Sequence, residues 1–256
     1  MQPLVKINDL TVTINKQSIL NQINLDILPF CVTAIVGESG SGKTTTGLAI
    51  LKLLDPELVI KKGEILFDQE DILKVDQKRL VQIRGKDIGM VFQEPLDAFN
   101  PVFTIGCQIE EVLIYHTVLN SKQRRDRVKE LLNMVELQDP ARIANSYPHQ
   151  LSGGMRQRAM IAQAIAAQPR LIIADEPTSN MDVTLQARIV ELFRALREKL
   201  NLSILLITHD LGLVKHLADS VVVMKEGMIV EAGNVSQILN GSIHEYTREL
   251  VRAADV

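Results

Sequence analysis

Lys43 and Thr44 end the stretch Gly37-Glu38-Ser39-Gly40-Ser41-Gly42-Lys43-Thr44, with Thr45 next. The spacing is G-x-x-x-x-G-K-T. Three residues without Cβ let the backbone take positive φ and come close to an anion. Successive N–H groups can then converge as a nest at the start of a helix. Lys43 would reach β- and γ-phosphates as a mobile point charge, and the Thr44 hydroxyl is an oxygen ligand for Mg²⁺. A second candidate is Asp175-Glu176, directly after the apolar run Leu171-Ile172-Ile173-Ala174. Adjacent carboxylates at the end of a buried strand are costly unless a cation or strong hydrogen bonds answer them. With Mg-ATP on the glycine loop that cation is at hand. Asp175 then anchors the metal, and Glu176 can orient and deprotonate a water. His209 follows another apolar run, Ile204-Leu205-Leu206-Ile207-Thr208. Ligands of open α/β sheets gather at the carboxyl ends of strands, which gives His209 a γ-phosphate role. Ser152 reads as a helix N-cap, and Gly153-Gly154 behind it lets a ligand approach the first N–H groups.

The elements that must position these residues follow from periodicity. Val32-Thr33-Ala34-Ile35-Val36 is a buried strand before the glycine loop, and Leu48, Leu51 and Leu54 mark a helix after it. Alternation at Val5/Ile7, Val12/Ile14 and Ile23/Leu25/Ile27 predicts short, half-buried antiparallel strands ahead of it, interrupted at Asn15-Lys16-Gln17. Gly63 to Phe67 and Ile88 to Phe92 read as further strands, with a polar helix near Asp76 to Arg84 between them. Gln93 stands at the end of the second, and Pro95 biases Glu94 away from the helical region, so the chain turns there. From about Leu96 to Ser146 the pattern is mostly helical, with Asp139-Pro140 as an N-cap and first-position proline. Asp182 caps a long amphipathic helix carrying Leu185, Ile189, Leu192, Leu196 and Leu200 on one face. Val221 to Val230 is a hairpin around Lys225-Glu226-Gly227. A short helix from Val235 to Leu239 and a polar tail to Val256 follow.

The chain has 256 residues, 46% of them hydrophobic, enough for one large domain or a domain with a subdomain. A net charge of −3 gives no electrostatic case for nucleic acid or anionic lipid. Cys31 and Cys107 lie far apart in apolar surroundings, which predicts buried free thiols rather than a cluster or metal site. No apolar run reaches the roughly 18 residues of a membrane span, and the N-terminus lacks the form of a signal peptide. A cytosolic protein whose membrane contact is borrowed from a partner is expected.

Taken in order, the glycine loop, Gln93, Leu151-Ser152-Gly153-Gly154, Asp175-Glu176 and His209 resemble the nucleotide-binding subunit of ABC transporters. The resemblance covers nearly the whole chain. Arg84 to Ile88, Gln93-Glu94-Pro95 with Phe99-Asn100-Pro101, Ser146 to Gln150 and Tyr246-Thr247-Arg248 are similar to the oligopeptide/dipeptide/nickel importer branch. The implied fold class is α/β: a P-loop (RecA-like) core with an N-terminal antiparallel β subdomain and an inserted α-helical subdomain. In the implied division of one ABC ATPase domain, 1–95 and 159–235 form the core, 96–158 the helical part and 236–256 a tail.

The implied cofactors are ATP and Mg²⁺, with Thr44, Gln93 and Asp175 at the metal. Gln93 would also relay nucleotide state to a membrane subunit, and the groove beside it would receive a coupling helix. The implied partners are a second ATPase subunit, a distinct paralogue, two transmembrane permease subunits and, indirectly, a solute-binding protein. In a head-to-tail dimer Ser152, Gly153 and Gly154 would bind the partner's nucleotide, and Asp182 would lie at the interface. Such a subunit sits peripherally on the cytoplasmic side of the inner membrane. The chain departs from the family at Ile14, where an aromatic residue often stacks on adenine, and at Pro29-Phe30-Cys31 before the P-loop strand. It departs again at Ser179-Asn180-Met181-Asp182. Many peptide-importing relatives carry a Cys-rich C-terminal extension, and no cluster of that kind is expected within these 256 residues.

A soluble ABC-type ATPase acting on ribosomes or DNA is the first rival reading. Neither a second cassette nor a long coiled-coil insertion is present to support it. A non-hydrolysing nucleotide sensor is the second, against which Lys43, Asp175, Glu176 and His209 all stand.

Overall fold

The computed structural model describes residues 2–179 and 181–254. Asn180 of the Ser179–Asp182 loop and the last two residues of the tail lie outside the described residues. The chain divides into two units, Met1–Leu80 with Ser203–Val256, and Val81–Leu202.

The first unit opens with β1 (Val5–Ile14), β2 (Gln17–Ile27), β3 (Val32–Val36), α1 (Lys43–Ile50), β4 (Val59–Phe67) and β5 (Glu70–Asp71). An antiparallel sheet runs in the order β2-β1-β4-β5. Asn15 and Lys16, at φ 46° and 71°, make the two-residue turn between β1 and β2, a geometry that matches strand twist. The strands are longer than the alternation predicts, ten and eleven residues. Register shifts after Ile7 and after Leu10 reset the pleat, so Val5, Ile7, Leu10 and Val12 all reach the core. Across from this irregularity Gly63 has φ 107°, and a Cβ there would stand 2.6 Å from Leu10 Cα. Only glycine fits that approach.

α2 (Gln77–Gln82) runs into one π-type turn, Ile83–Asp87, where Gly85 takes φ 96°. The second unit contains β6 (Ile88–Val91), α3 (Pro95–Ala98), α4 (Ile105–His116), α5 (Ser121–Met134), α6 (Pro140–Ala144), α7 (Gly153–Ala164), β7 (Leu171–Asp175) and α8 (Val183–Leu200). The helices start on side-chain caps: Thr104 before α4, a reciprocal Asn120/Gln123 pair before α5, and Asp139 followed by Pro140 before α6. β6 and β7 pair in parallel, Ile88 opposite Leu171 and Val91 opposite Ala174. α8 buries Ile189, Leu192, Phe193 and Leu196.

The chain then returns to the first unit with β8 (Ser203–Ile207), α9 (Leu211–Leu217), β9 (Ser220–Lys225), β10 (Met228–Asn234), α10 (Val235–Gly241) and α11 (Glu245–Ala253). β3 lies between β8 and β9, parallel to both, and β10 runs antiparallel to β9. All five residues of β3 are buried, as a central strand requires. Two expectations fail here. The polar tail contains α11, which buries Tyr246 and Thr247. Cys107 is exposed and Cys31 half-buried. α4 turns Ile105, Gly106, Gln108 and Ile109 inward and leaves Cys107 on the other face, a helical periodicity that a run of apolar neighbours conceals.

Candidate nucleotide-binding site

In the first unit the glycine loop joins the end of β3 to the start of α1. Gly37 has φ 152°, and a Cβ on it would stand 2.2 Å from the Met224 carbonyl oxygen. Gly42, the N-cap residue of α1, has φ 99°, and its Cβ would stand 2.6 Å from Leu20 Cδ2. Glycine is demanded by the neighbouring backbone at position 37 and by the left-handed φ at position 42, apart from any ligand. Lys43 is buried, and its Nζ donates to the carbonyls of Gly37 and Glu38, both at 2.8 Å. The ammonium therefore lies within the loop. Thr44 is exposed, Thr45 half-buried, and Glu38, Ser39 and Gly40 are exposed. α1 begins at Lys43, so the start of the helix directly follows the loop. The loop thus combines a cation, a helix start and an accessible hydroxyl at one strand end. Ile35 pairs with Ile207, and the Thr208 N–H donates to the Ile35 carbonyl at 3.1 Å. His209, exposed just beyond, leaves the strand next to the one that feeds the loop.

In the second unit the same logic places Gln93 and Asp175-Glu176 beyond the paired ends of β6 and β7. Asp175 is buried at 4% exposure. Glu176 is half-buried with φ 46°, a left-handed backbone that turns the chain sharply off the strand. The Ser179 N–H donates to the Glu176 carbonyl at 3.1 Å, and the Ser179 hydroxyl donates to the Gln93 carbonyl at 3.4 Å. Sequence reasoning missed this tie between the two loops, because Ser179 carries no pattern of its own.

Ser152 caps α7, accepting from the Met155 N–H at 3.4 Å. Among the described residues, a Cβ on Gly153 would meet no atom within 4 Å. Asp182 caps α8, accepting from the Leu185 N–H at 2.9 Å. Gln93, Ser152, Gly153 and Asp182 share the wall of a groove of about 900 Å³ that also reaches Leu96 and Glu136.

Among the described residues no cluster of three His, Cys, Asp or Glu side chains could hold a metal ion. The candidate donors are hard oxygens, the Thr44 hydroxyl and the Asp175 carboxylate. Each, in its own unit, is the donor type that Mg²⁺ accepts, an ion that keeps several waters and takes most other ligands from substrate phosphates.

A glycine loop feeding a helix from a central parallel strand, with polar and acidic residues gathered at strand ends, defines a P-loop nucleotide-binding module. The ABC transporter family model matches residues 20–179, and the chain belongs to that family. It is 46% identical to the peptidoglycan transport ATP-binding protein YejF of Agrobacterium fabrum, over 98% of this chain and 47% of that protein. It is 44% identical to a putative peptide import ATP-binding protein of Brucella melitensis, over 98% of this chain and 77% of that one. With the oligopeptide transport ATP-binding protein OppD of Bacillus subtilis it shares 49% identity, over 84% of this chain and 60% of that one. The chain thus spans about half of YejF and 60–77% of the other two. Two solved structures share the fold. The dimeric cassette MJ0796 superposes with a TM-score of 0.80 at 30% identity, covering 90% of this chain and 98% of that one. CbiO1 from Clostridium perfringens, part of the CbiONQ complex, gives 0.82 at 26% identity, covering 100% and 95%.

Proposed function

We propose that the chain is the ATP-binding and ATP-hydrolysing subunit of an importer of di- or oligopeptides, working with separate permease subunits. The observation that carries this reading is the presence of two anion-ready helix starts in one chain. One is the glycine loop with its buried Lys43, where the N–H nest and Lys43 hold the triphosphate. The other is Ser152-Gly153-Gly154, where a Cβ on Gly153 would meet no described atom within 4 Å and one on Gly154 would meet only the Leu185 side chain among the described residues, at 3.6 Å; it is assigned to the nucleotide of a second ATPase subunit. That assignment makes the dimer head-to-tail, with Asp182 at its interface. MJ0796 is described as a dimer, including one in a post-hydrolysis state with ADP and Pi. Peptide cargo is favoured over a nickel complex by the relatives named for peptide or oligopeptide transport.

Thr44, Asp175 and Gln93 are assigned to Mg²⁺, which when bound neutralises charge on the phosphates. Glu176 takes a proton from the attacking water as that oxygen bonds to the γ-phosphorus and the bond to the β–γ bridging oxygen breaks. His209 orients the γ-phosphate. Gln93 relays the state of the site to the groove beside it, which is assigned to a cytoplasmic helix of a permease. Among the described residues no helix is long and apolar enough to cross a membrane.

Ser152→Arg tests the cross-subunit assignment. The isolated subunit should bind a fluorescent ATP analogue with near-native affinity while ATP-dependent dimerisation is lost. Loss of binding in the isolated subunit would refute the assignment. Cargo is tested by purifying the chain with its membrane subunits and binding protein and asking which solute raises ATP turnover.

A further inference from the structure

The C-terminal hairpin and α11 grip the glycine loop from within the same unit, through contacts that no step above employs. The Gly227 N–H, at the β9–β10 turn, donates to the Ser41 carbonyl at 3.1 Å. The Met224 carbonyl of β9 fills the space where Gly37 would carry a Cβ. From α11, the Tyr246 hydroxyl oxygen accepts the Glu38 N–H at 3.0 Å across 208 residues of sequence. Tyr246 is buried at 4% exposure, and the Lys225 ammonium lies 4.7 Å from its ring centroid. The start of α11 is tied down in turn. The Glu231 carboxylate accepts the N–H groups of Ile243 and His244 at 2.8 and 3.1 Å, and His244 Nδ1 accepts the Tyr246 N–H at 3.2 Å. A continuous chain of hydrogen bonds thus runs from β10 through the start of α11 to the second residue of the phosphate loop.

We propose that Tyr246 is a positioning residue for nucleotide binding: its hydroxyl fixes the Glu38 peptide plane and so aims the N–H groups that follow at the triphosphate. The proposal rests on the reading that Gly37 to Thr45 binds ATP. A peptide unit held at one end by a buried acceptor cannot rotate its N–H away, so the loop does not have to be ordered when the ligand arrives. Burial raises the Tyr246 pKa above its ordinary value of 10; the hydrogen bond from the Glu38 N–H opposes the shift, and the Glu38 charge adds to it. The hydroxyl therefore stays protonated across the physiological range.

Tyr246→Phe separates this role from core packing, because it keeps the ring, its burial and its place beneath Lys225. Three measurements on the full chain decide it: the Kd of a fluorescent ATP analogue with Mg²⁺, the exchange rate of the Glu38 amide, and Tm. The expected result is binding weaker by roughly three- to tenfold, the equivalent of one lost hydrogen bond. Glu38 exchange should be faster, and Tm nearly unchanged. In the assembled transporter KM for ATP should rise by a similar factor with kcat unchanged. Native Kd together with native Glu38 exchange would overturn the proposal. Glu231→Ala, which frees the start of α11 without touching Tyr246, should shift Kd and exchange in the same direction; no shift in either would also count against it. Lys43→Ala run in parallel isolates the underlying reading. If Lys43→Ala loses binding while Tyr246→Phe does not, the clamp fails and the loop assignment stands. If Lys43→Ala binds normally, the loop assignment itself fails.

Discussion

Replacing Glu176 by Gln tests the chemistry with the least structural disturbance. Glu176 sits at φ 46°, just beyond β7, so the turn at this position is a backbone property that the substitution must preserve. Gln has nearly the same volume, keeps a carbonyl acceptor, and adopts this backbone no less readily than Glu. The change therefore removes charge and basicity and little else, and the stability difference should stay within about 0.5 kcal/mol. A positioned general base contributes typically 10²–10⁴-fold, or roughly 3–5.5 kcal/mol of barrier. ATP turnover of the assembled transporter should fall by that factor, while the isolated subunit binds the fluorescent analogue as before. The paired assay matters because Asp175 next to it is assigned to the metal. A variant that lost binding and turnover together would place Glu176 in the binding machinery. Turnover within threefold of wild type would falsify its assignment as the base.

Two further outcomes follow from the geometry. Gly63→Ala forces a Cβ to within 2.6 to 2.8 Å of the backbone at Leu10, Asp9 and Asn8 while keeping φ at 107°, and should cost roughly 2–5 kcal/mol in urea unfolding. A cost under about 0.5 kcal/mol would contradict the packing described for β1 and β4. His116 is held below its ordinary pKa of 6.5 by burial first and by the Lys86 ammonium second, with Asp87 opposing. A lowered folded-state value means that the unfolded chain binds more protons, so this contribution is complete above pH 6.5 and is lost as pH falls through the folded value. Wild-type stability relative to His116→Gln should therefore decline on acidification below that point, and an NMR titration placing the His116 midpoint at or above 6.5 would refute it.

What the sequence made legible was whatever depends on neighbours in the chain. The glycine loop, the acidic strand end and the caps at Asp139, Ser152 and Asp182 are local chemistry, and each appears where its residue types predict it. The parallel strands were legible because burial on both faces writes continuous apolar runs. Periodicity could not reveal the register shifts along β1 and β2, since a bulge breaks the alternation by which a strand is recognised. Nor could it reveal why Gly63 must be glycine, because the obstructing atoms belong to residues more than fifty positions away. Tyr246 stood out only as part of a family resemblance; its contact with Glu38 is a property of the folded chain alone.

The way the first unit is assembled has a consequence for how the protein is made. Its glycine loop is fully supported only by residues that leave the ribosome about two hundred positions later, Met224, Gly227 and Tyr246. At ~5–20 residues per second, a nascent chain carries the phosphate motif for roughly 10–40 s before its scaffold exists. During that interval Val81–Leu202, the second compact unit, emerges whole. The capacity to hold a nucleotide is thus acquired late in translation, and a chain arrested before β9 would display the signature of the site without its function.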